Sequence, residues 1–95
     1  MPAYVVVRAT VSDPAAYEPY KAAAQASIAE AGGRYLVRGG EMTTTEGEGD
    51  PRRLVILEFP DRATAEAWYA GPAYTHANSL REGIATRDAQ IVDGG

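Results

Sequence analysis

The apolar positions of the chain fall into two kinds of run. Some are dense β-branched stretches of strand length, and others are stripes spaced three or four residues apart. AYVVVRATV, residues 3–11, is of the first kind and predicts a strand closed by turn chemistry at Ser12-Asp13-Pro14. Asp13 followed by Pro14 opens a helix, with a capping oxygen before a residue that has no amide hydrogen to lose. Tyr17, Tyr20, Ala24, Ile28 and Ala31 then form one apolar stripe. Pro19 predicts either an irregular first turn or a regular helix that begins near Glu18. Gly32-Gly33 ends this helix, the first glycine suiting the left-handed position beyond the C-terminus.

RYLVR, residues 34–38, reads as a second strand that passes a β-bulge at Gly39-Gly40 and continues through Glu41–Thr45. Neither glycine pair leads into a helix N-terminus, where free amide hydrogens would meet a phosphate, so a phosphate cradle is not expected. EGEGDP, 46–51, is an acidic hairpin tip, and RRLVILEFP, 52–60, is the third strand. Asp61 caps a second helix through Ala65, Trp68 and Tyr69; Gly71-Pro72 interrupts it, and 73–85 reads as helical again. TRDAQIV, 86–92, is the last strand. The order β-α-β-β-α-β predicts one α+β domain over residues 1–95, a ferredoxin-like sandwich. It has a four-stranded antiparallel sheet with two helices on one face.

Such a sheet has one face without helices, and a strand with one wet face should alternate. Val5-Val6-Val7 and Leu54-Val55-Ile56-Leu57 are apolar at consecutive positions instead. Each such side chain contributes about 1.5–3 kcal/mol on full burial, so the pattern predicts a homodimer with the two sheets face to face.

Composition narrows the chemistry. Thirteen acids against nine bases give the 95 residues a net charge of −4, and no basic cluster exceeds Arg52-Arg53, which argues against nucleic acid as a partner. With no cysteine and a single histidine, neither a disulfide framework nor a metal site is expected. His76 lies off the Ala77-Leu80-Ile84 stripe and reads as a solvated helix position. Ser27 and Ser79 have no histidine at a triad-like spacing. The opening MPAYVVVRAT lacks a signal-peptide pattern, and no apolar run is long enough for a membrane span, so a cytoplasmic protein is the expectation.

GGRYLVRGG at 32–40, RLVILEFP at 53–60, AWYAGPAY at 67–74 and the opening strand with Asp13-Pro14 and Tyr17 resemble the bacterial family known as domain of unknown function 1330, over essentially the whole chain. The resemblance implies a dimeric α/β barrel, two ferredoxin-like subunits with opposed sheets. It carries no catalytic assignment. Proteins of this broader architecture include cofactor-free monooxygenases, polyketide cyclases, small isomerases, haem-degrading enzymes and stress-response proteins, an analogy of fold and not of function.

Pairing the strands suggests a charged row. A hairpin tip at Glu48 sets Arg38 opposite Glu58; β-strands one and three taken as parallel, with Val6 beside Ile56, set Arg8 beside Glu58; the last strand brings Asp88 to Arg8. The row Asp88, Arg8, Glu58, Arg38 then faces the partner subunit, either as a register-fixing ion network or as a polar pocket with Glu58 as base. Val5, Val7, Val55, Leu57, Phe59, Tyr35, Val37 and Ile91 are expected under the helices. Tyr17, Tyr20, Trp68, Tyr69 and Tyr74 read either as core or as the walls of a cavity whose mouth is at Gly71-Pro72. The functional expectation is a small-molecule-binding protein without a permanent cofactor. The alternative is a cofactor-independent cyclase, isomerase or monooxygenase acting on a small aromatic or carboxylated compound. In that case Arg38 and Arg81 are anion anchors, Glu58 a base, and Tyr69 and Tyr74 pocket walls.

Overall fold

The computed structural model describes all residues, 1–95. In chain order the elements are β1 (Ala3–Val11), α1 (Pro14–Glu30), β2 (Arg34–Arg38), β3 (Arg53–Phe59), α2 (Arg62–Ala70), α3 (Pro72–Ser79) and β4 (Ala85–Asp93). The four strands form one antiparallel sheet in the order β2-β3-β1-β4. This is the ferredoxin-like arrangement, and the second helix divides in two where the sequence reading interrupts it: Gly71 adopts an extended conformation and Pro72 starts a new helix. No helix is long and apolar enough to cross a membrane.

Helix α1 begins where its cap predicts: the Asp13 carboxylate accepts the Ala16 N–H at 3.1 Å, and Pro14 takes the first position. The irregular start expected at Pro19 does not occur. Pro19 and Ala15 both lie on the exposed side, so the carbonyl that Pro19 leaves without a partner meets solvent, while Tyr17 and Tyr20 hold the same turns to the core. At the other end Gly32, with φ +84°, donates to the Ala29 carbonyl, and Gly33 donates to the Ile28 carbonyl at 2.9 Å. That is the paired hydrogen-bond pattern of a helix closed by a left-handed glycine. Helix α3 stops at Ser79, short of the predicted Ala85, and a turn through Gly83 (φ +77°) starts β4 at Ala85.

Strand parity sorts the side chains. Ala3, Val5, Val7 and Ala9 of β1 and Leu57 and Phe59 of β3 are buried against Tyr17, Tyr20, Ala24, Ile28, Ala65, Trp68, Tyr74 and Ala77 of the helices. Tyr4, Val6, Leu54, Ile56 and Val37 point to the helix-free face and are only half-buried.

Two registers differ from expectation. β1 and β3 are antiparallel, not parallel: the split β-α-β order makes β1 and β2 run the same way, with β3 inserted between them in the opposite sense. Val6 still pairs with Ile56, since the reversal pivots there, but Arg8 then faces Leu54, and Glu58 faces Tyr4. In β2 the irregularity lies between Tyr35 and Val37, so Leu36 is the extra residue, and the bulge is not at Gly39-Gly40. Arg38 is consequently opposite Val55, and Val37 turns to the helix-free face. The strand also ends at Arg38; residues 41–45 do not extend it.

Candidate functional site

The charged row is therefore not assembled as aligned. Asp88 does face Arg8 across β1 and β4, but its carboxylate accepts from Arg52 Nη1 at 2.6 Å. Asp50 sits between the two arginines, 2.9 Å from Arg52 Nη2 and 3.9 Å from Arg8 Nε. Glu58 pairs with Arg34 at 2.7 Å on the helix-free face, and Arg38 is on the other side of the sheet. Arg81 donates to Asn78 Oδ1 at 2.6 Å and to the Ala85 carbonyl at 3.2 Å, bracing the turn from α3 into β4.

What the fold does build is a narrow cleft between the helices and the sheet. Aromatic side chains make its walls: Tyr17 and Tyr20 from α1, Trp68 and Tyr69 from α2, Tyr74 from α3 and Tyr35 from β2. They are linked by ring contacts, with Trp68 to Tyr74 at 4.3 Å and Tyr17 stacked on Tyr20 at 4.8 Å between centroids. The two sequence readings of these residues thus merge. Four of them are core by burial, and their inner faces are also cavity wall, while Tyr69 is 43% exposed at the lip. Trp68 is held by donating its indole N–H to Ser27 Oγ at 3.0 Å, and Ser27 in turn donates to the Ala24 carbonyl. The cavity volume is about 40 Å³. That is room for about two or three water molecules, so a larger guest must displace the side chains at the lip.

Arg87 is the residue that sequence reasoning missed. It lies on β4 opposite Ala9, in the apolar parity row Ala85, Arg87, Ala89, Ile91 that faces the helices. That parity was the available signal, an arginine at a position where the pattern wants an apolar side chain. Its guanidinium donates to the hydroxyls of Tyr20 and Tyr74, which are themselves 2.9 Å apart, and its third nitrogen, Nε, is buried without a partner. Asn78 Oδ1 is a distant further acceptor at 3.4 Å. Burial pushes the Tyr20 hydroxyl far above the ordinary phenol range, with the Arg87 charge pulling the other way. The phenol therefore stays protonated and can act as a hydrogen-bond donor. Burial raises Tyr35 as well, opposed by Arg38, whose guanidinium lies 4.3 Å above the Tyr35 ring.

The ion pairs of the molecule use Arg8, Lys21, Arg34, Arg52 and Arg62; Arg87 and Arg38 are in none of them. No group of three or more His, Cys, Asp or Glu side chains is arranged to hold a metal ion. His76 is exposed on α3, away from the cleft. The cleft is chemically an aromatic slot with an uncompensated cation on its β4 side.

The family model described as Domain of unknown function (DUF1330) matches residues 2–95. The chain belongs to this family. No curated protein matches the DUF1330 chain. Among solved structures it is similar to a protein of unknown function from Rhodopseudomonas palustris, at 17% identity and a TM-score of 0.75, over 99% of this chain and 82% of the other. It is also similar to a dimeric ferredoxin-like protein of unknown function from Jannaschia sp. CCS1, at 14% identity and a TM-score of 0.69, over 99% and 100%. A third is SnoaB, a cofactor-independent oxygenase from Streptomyces nogalater, at 18% identity and a TM-score of 0.67, over 99% and 93%. At these identities the likeness establishes the fold, not the activity.

Proposed function

We propose that this DUF1330 protein is a homodimer that binds a small planar aromatic anion in the cleft between its helices and its sheet, with no resident cofactor. The observation that carries the reading is Arg87, a charge placed among aromatic rings with one nitrogen buried and unpaired and no carboxylate in reach. An unpaired cation in such surroundings is costly, and a bound carboxylate or phenolate removes that cost. One hydroxyl of the Tyr20–Tyr74 pair keeps a hydrogen to donate beside it, and the aromatic side chains supply apolar walls. Dimerisation is supported by the half-buried apolar residues of the helix-free sheet face and by similar structures described as dimeric.

Trp68 is the chain's single tryptophan and forms part of the cleft wall, so its one indole resonance gives an unambiguous signal there. Titration with 2-naphthoate should move that resonance, and 2-naphthoate should bind about tenfold more tightly than the neutral 2-naphthamide. The Arg87→Met variant, checked for native far-UV circular dichroism, should lose this preference. Equal binding of the two compounds, or no binding, overturns the reading.

A second reading is a cofactor-independent enzyme of the oxygenase, cyclase or isomerase type. It is favoured by the hydrogen-bonded Tyr20–Tyr74 pair, which can donate a hydrogen bond to a developing oxyanion. The similarity to SnoaB and to a putative antibiotic biosynthesis monooxygenase from Nitrosomonas europaea adds weight at the level of fold. Glu58, on the far face of the sheet, takes no part in this version.

A further inference from the structure

Building on that reading, we infer that the ligand carries two anionic groups at opposite ends of its aromatic plane, one on Arg87 and the other on Arg38. The chain as a whole is acidic, at −4, yet the 17 residues around the cleft include Lys21, Arg38 and Arg87 and not one acid. The positive lining is thus a property of the cleft, against the average of the chain.

The two arginines mark the ends of the slot. Arg87 is on β4 and Arg38 on β2, the two outer strands of the sheet. Three inter-strand steps separate their strands, about 14 Å at the usual spacing. Arg38 reaches the cleft only because of the extra residue Leu36; in an unbroken ladder the strand would turn it to the other face. It then lies over the Tyr35 ring as Arg87 lies over Tyr20, at 4.3 and 5.1 Å from the centroids. Arg38 is exposed and forms no ion pair, and Lys21 on the facing helix is engaged only by the exposed Glu18, at 3.2 Å. A monoanion seated on Arg87 leaves this outer cation unanswered. A rigid aromatic with carboxylate or phenolate oxygens at both ends satisfies both arginines with its plane against the rings.

The test compares 2,6-naphthalenedicarboxylate with 2-naphthoate by calorimetric titration of the full chain, native and Arg38→Gln. The expected result is about three- to fivefold tighter binding of the dicarboxylate by the native protein, the range for an added solvent-exposed ion pair. Arg38→Gln should abolish that advantage while keeping native far-UV circular dichroism, since an exposed side chain contributes little to the fold. Raising the salt concentration should shrink the advantage as well. Equal affinity for the two probes overturns the inference while leaving the aromatic-anion reading standing. A dicarboxylate preference that persists in Arg38→Gln overturns the assignment to Arg38. If neither compound binds, both conclusions fall together.

Discussion

Arg87 and Gly33 show what single residues decide here. Arg87 places a charge inside a packed aromatic core, where Ala85, Ala89 and Ile91 would otherwise continue an apolar row. Gly33 decides how closely α1 and β3 approach. A Cβ there would lie 2.6 Å from Phe59 Cε1, 2.8 Å from Phe59 Cζ and 3.1 Å from Ile28 Cγ2. Phe59 has no exposed surface and cannot swing aside. Gly33→Ala should therefore destabilise the protein by about 1–3 kcal/mol, read as a lower urea midpoint with an unchanged slope. An unshifted midpoint would mean that the packing around Phe59 is looser than the distances indicate. The glycine spacing was legible in the sequence as a helix stop; the contact with Phe59 was not, because it joins residues 26 positions apart.

At the scale of elements, strands and caps were largely legible, and errors collect where one element's position depends on another. Both aspartate caps form, Asp13 to Ala16 and Asp61 to Thr64 at 2.7 Å, since a cap is a local hydrogen bond. The β2 register is not local: it depends on where the chain can bulge, and the bulge falls at Leu36. The segment before β3 is also anchored by charge in a way spacing did not reveal. Asp50 accepts from the Arg52 side chain and from its backbone N–H, and Arg52 reaches on to Asp88 of β4. The Arg52 hydrogen bonds hold the Asp50 carboxyl down at about 2, against 3.8 for a free aspartate. A carboxyl lowered on folding adds stability above its unfolded value, and that contribution disappears as pH falls through the folded one. Native stability should accordingly drop between about pH 4 and about pH 2, and Asp50→Asn should flatten that part of the curve. Urea midpoints measured across this range check it, and parallel curves for the two proteins would count against the Asp50–Arg52 bond.

The molecule as a whole is a half-covered sheet. Val6 and Ile56 pair at the centre of the helix-free face, with Tyr4, Leu54 and Val37 around them, all half-buried in the single chain. In the proposed dimer these side chains meet their counterparts across a two-fold axis. A lysine in the middle of that contact leaves an ammonium buried without a partner, which dimerisation cannot tolerate. Ile56→Lys should give a monomer in sedimentation at micromolar concentration, with native far-UV circular dichroism because the side chain is outside the helix-covered core. A native-like dimer in this variant would place the subunit contact elsewhere. The cleft lies on the opposite face of the sheet from the proposed contact, so ligand binding by the monomeric variant should persist.

By itself the sequence determined the element order, the α+β class and the apolar character of both faces of the central strands, since these follow from periodicity, caps and runs of adjacent apolar residues. Tertiary structure alone decided which charges meet. Direction of β1 against β3, one extra residue in β2 and the parity of β4 move Glu58 away from Arg38 and bring Arg87 to Tyr20 and Tyr74. The physical reason is the two-residue period of a strand: one step of register exchanges the faces of a sheet, and local chemistry does not count that step.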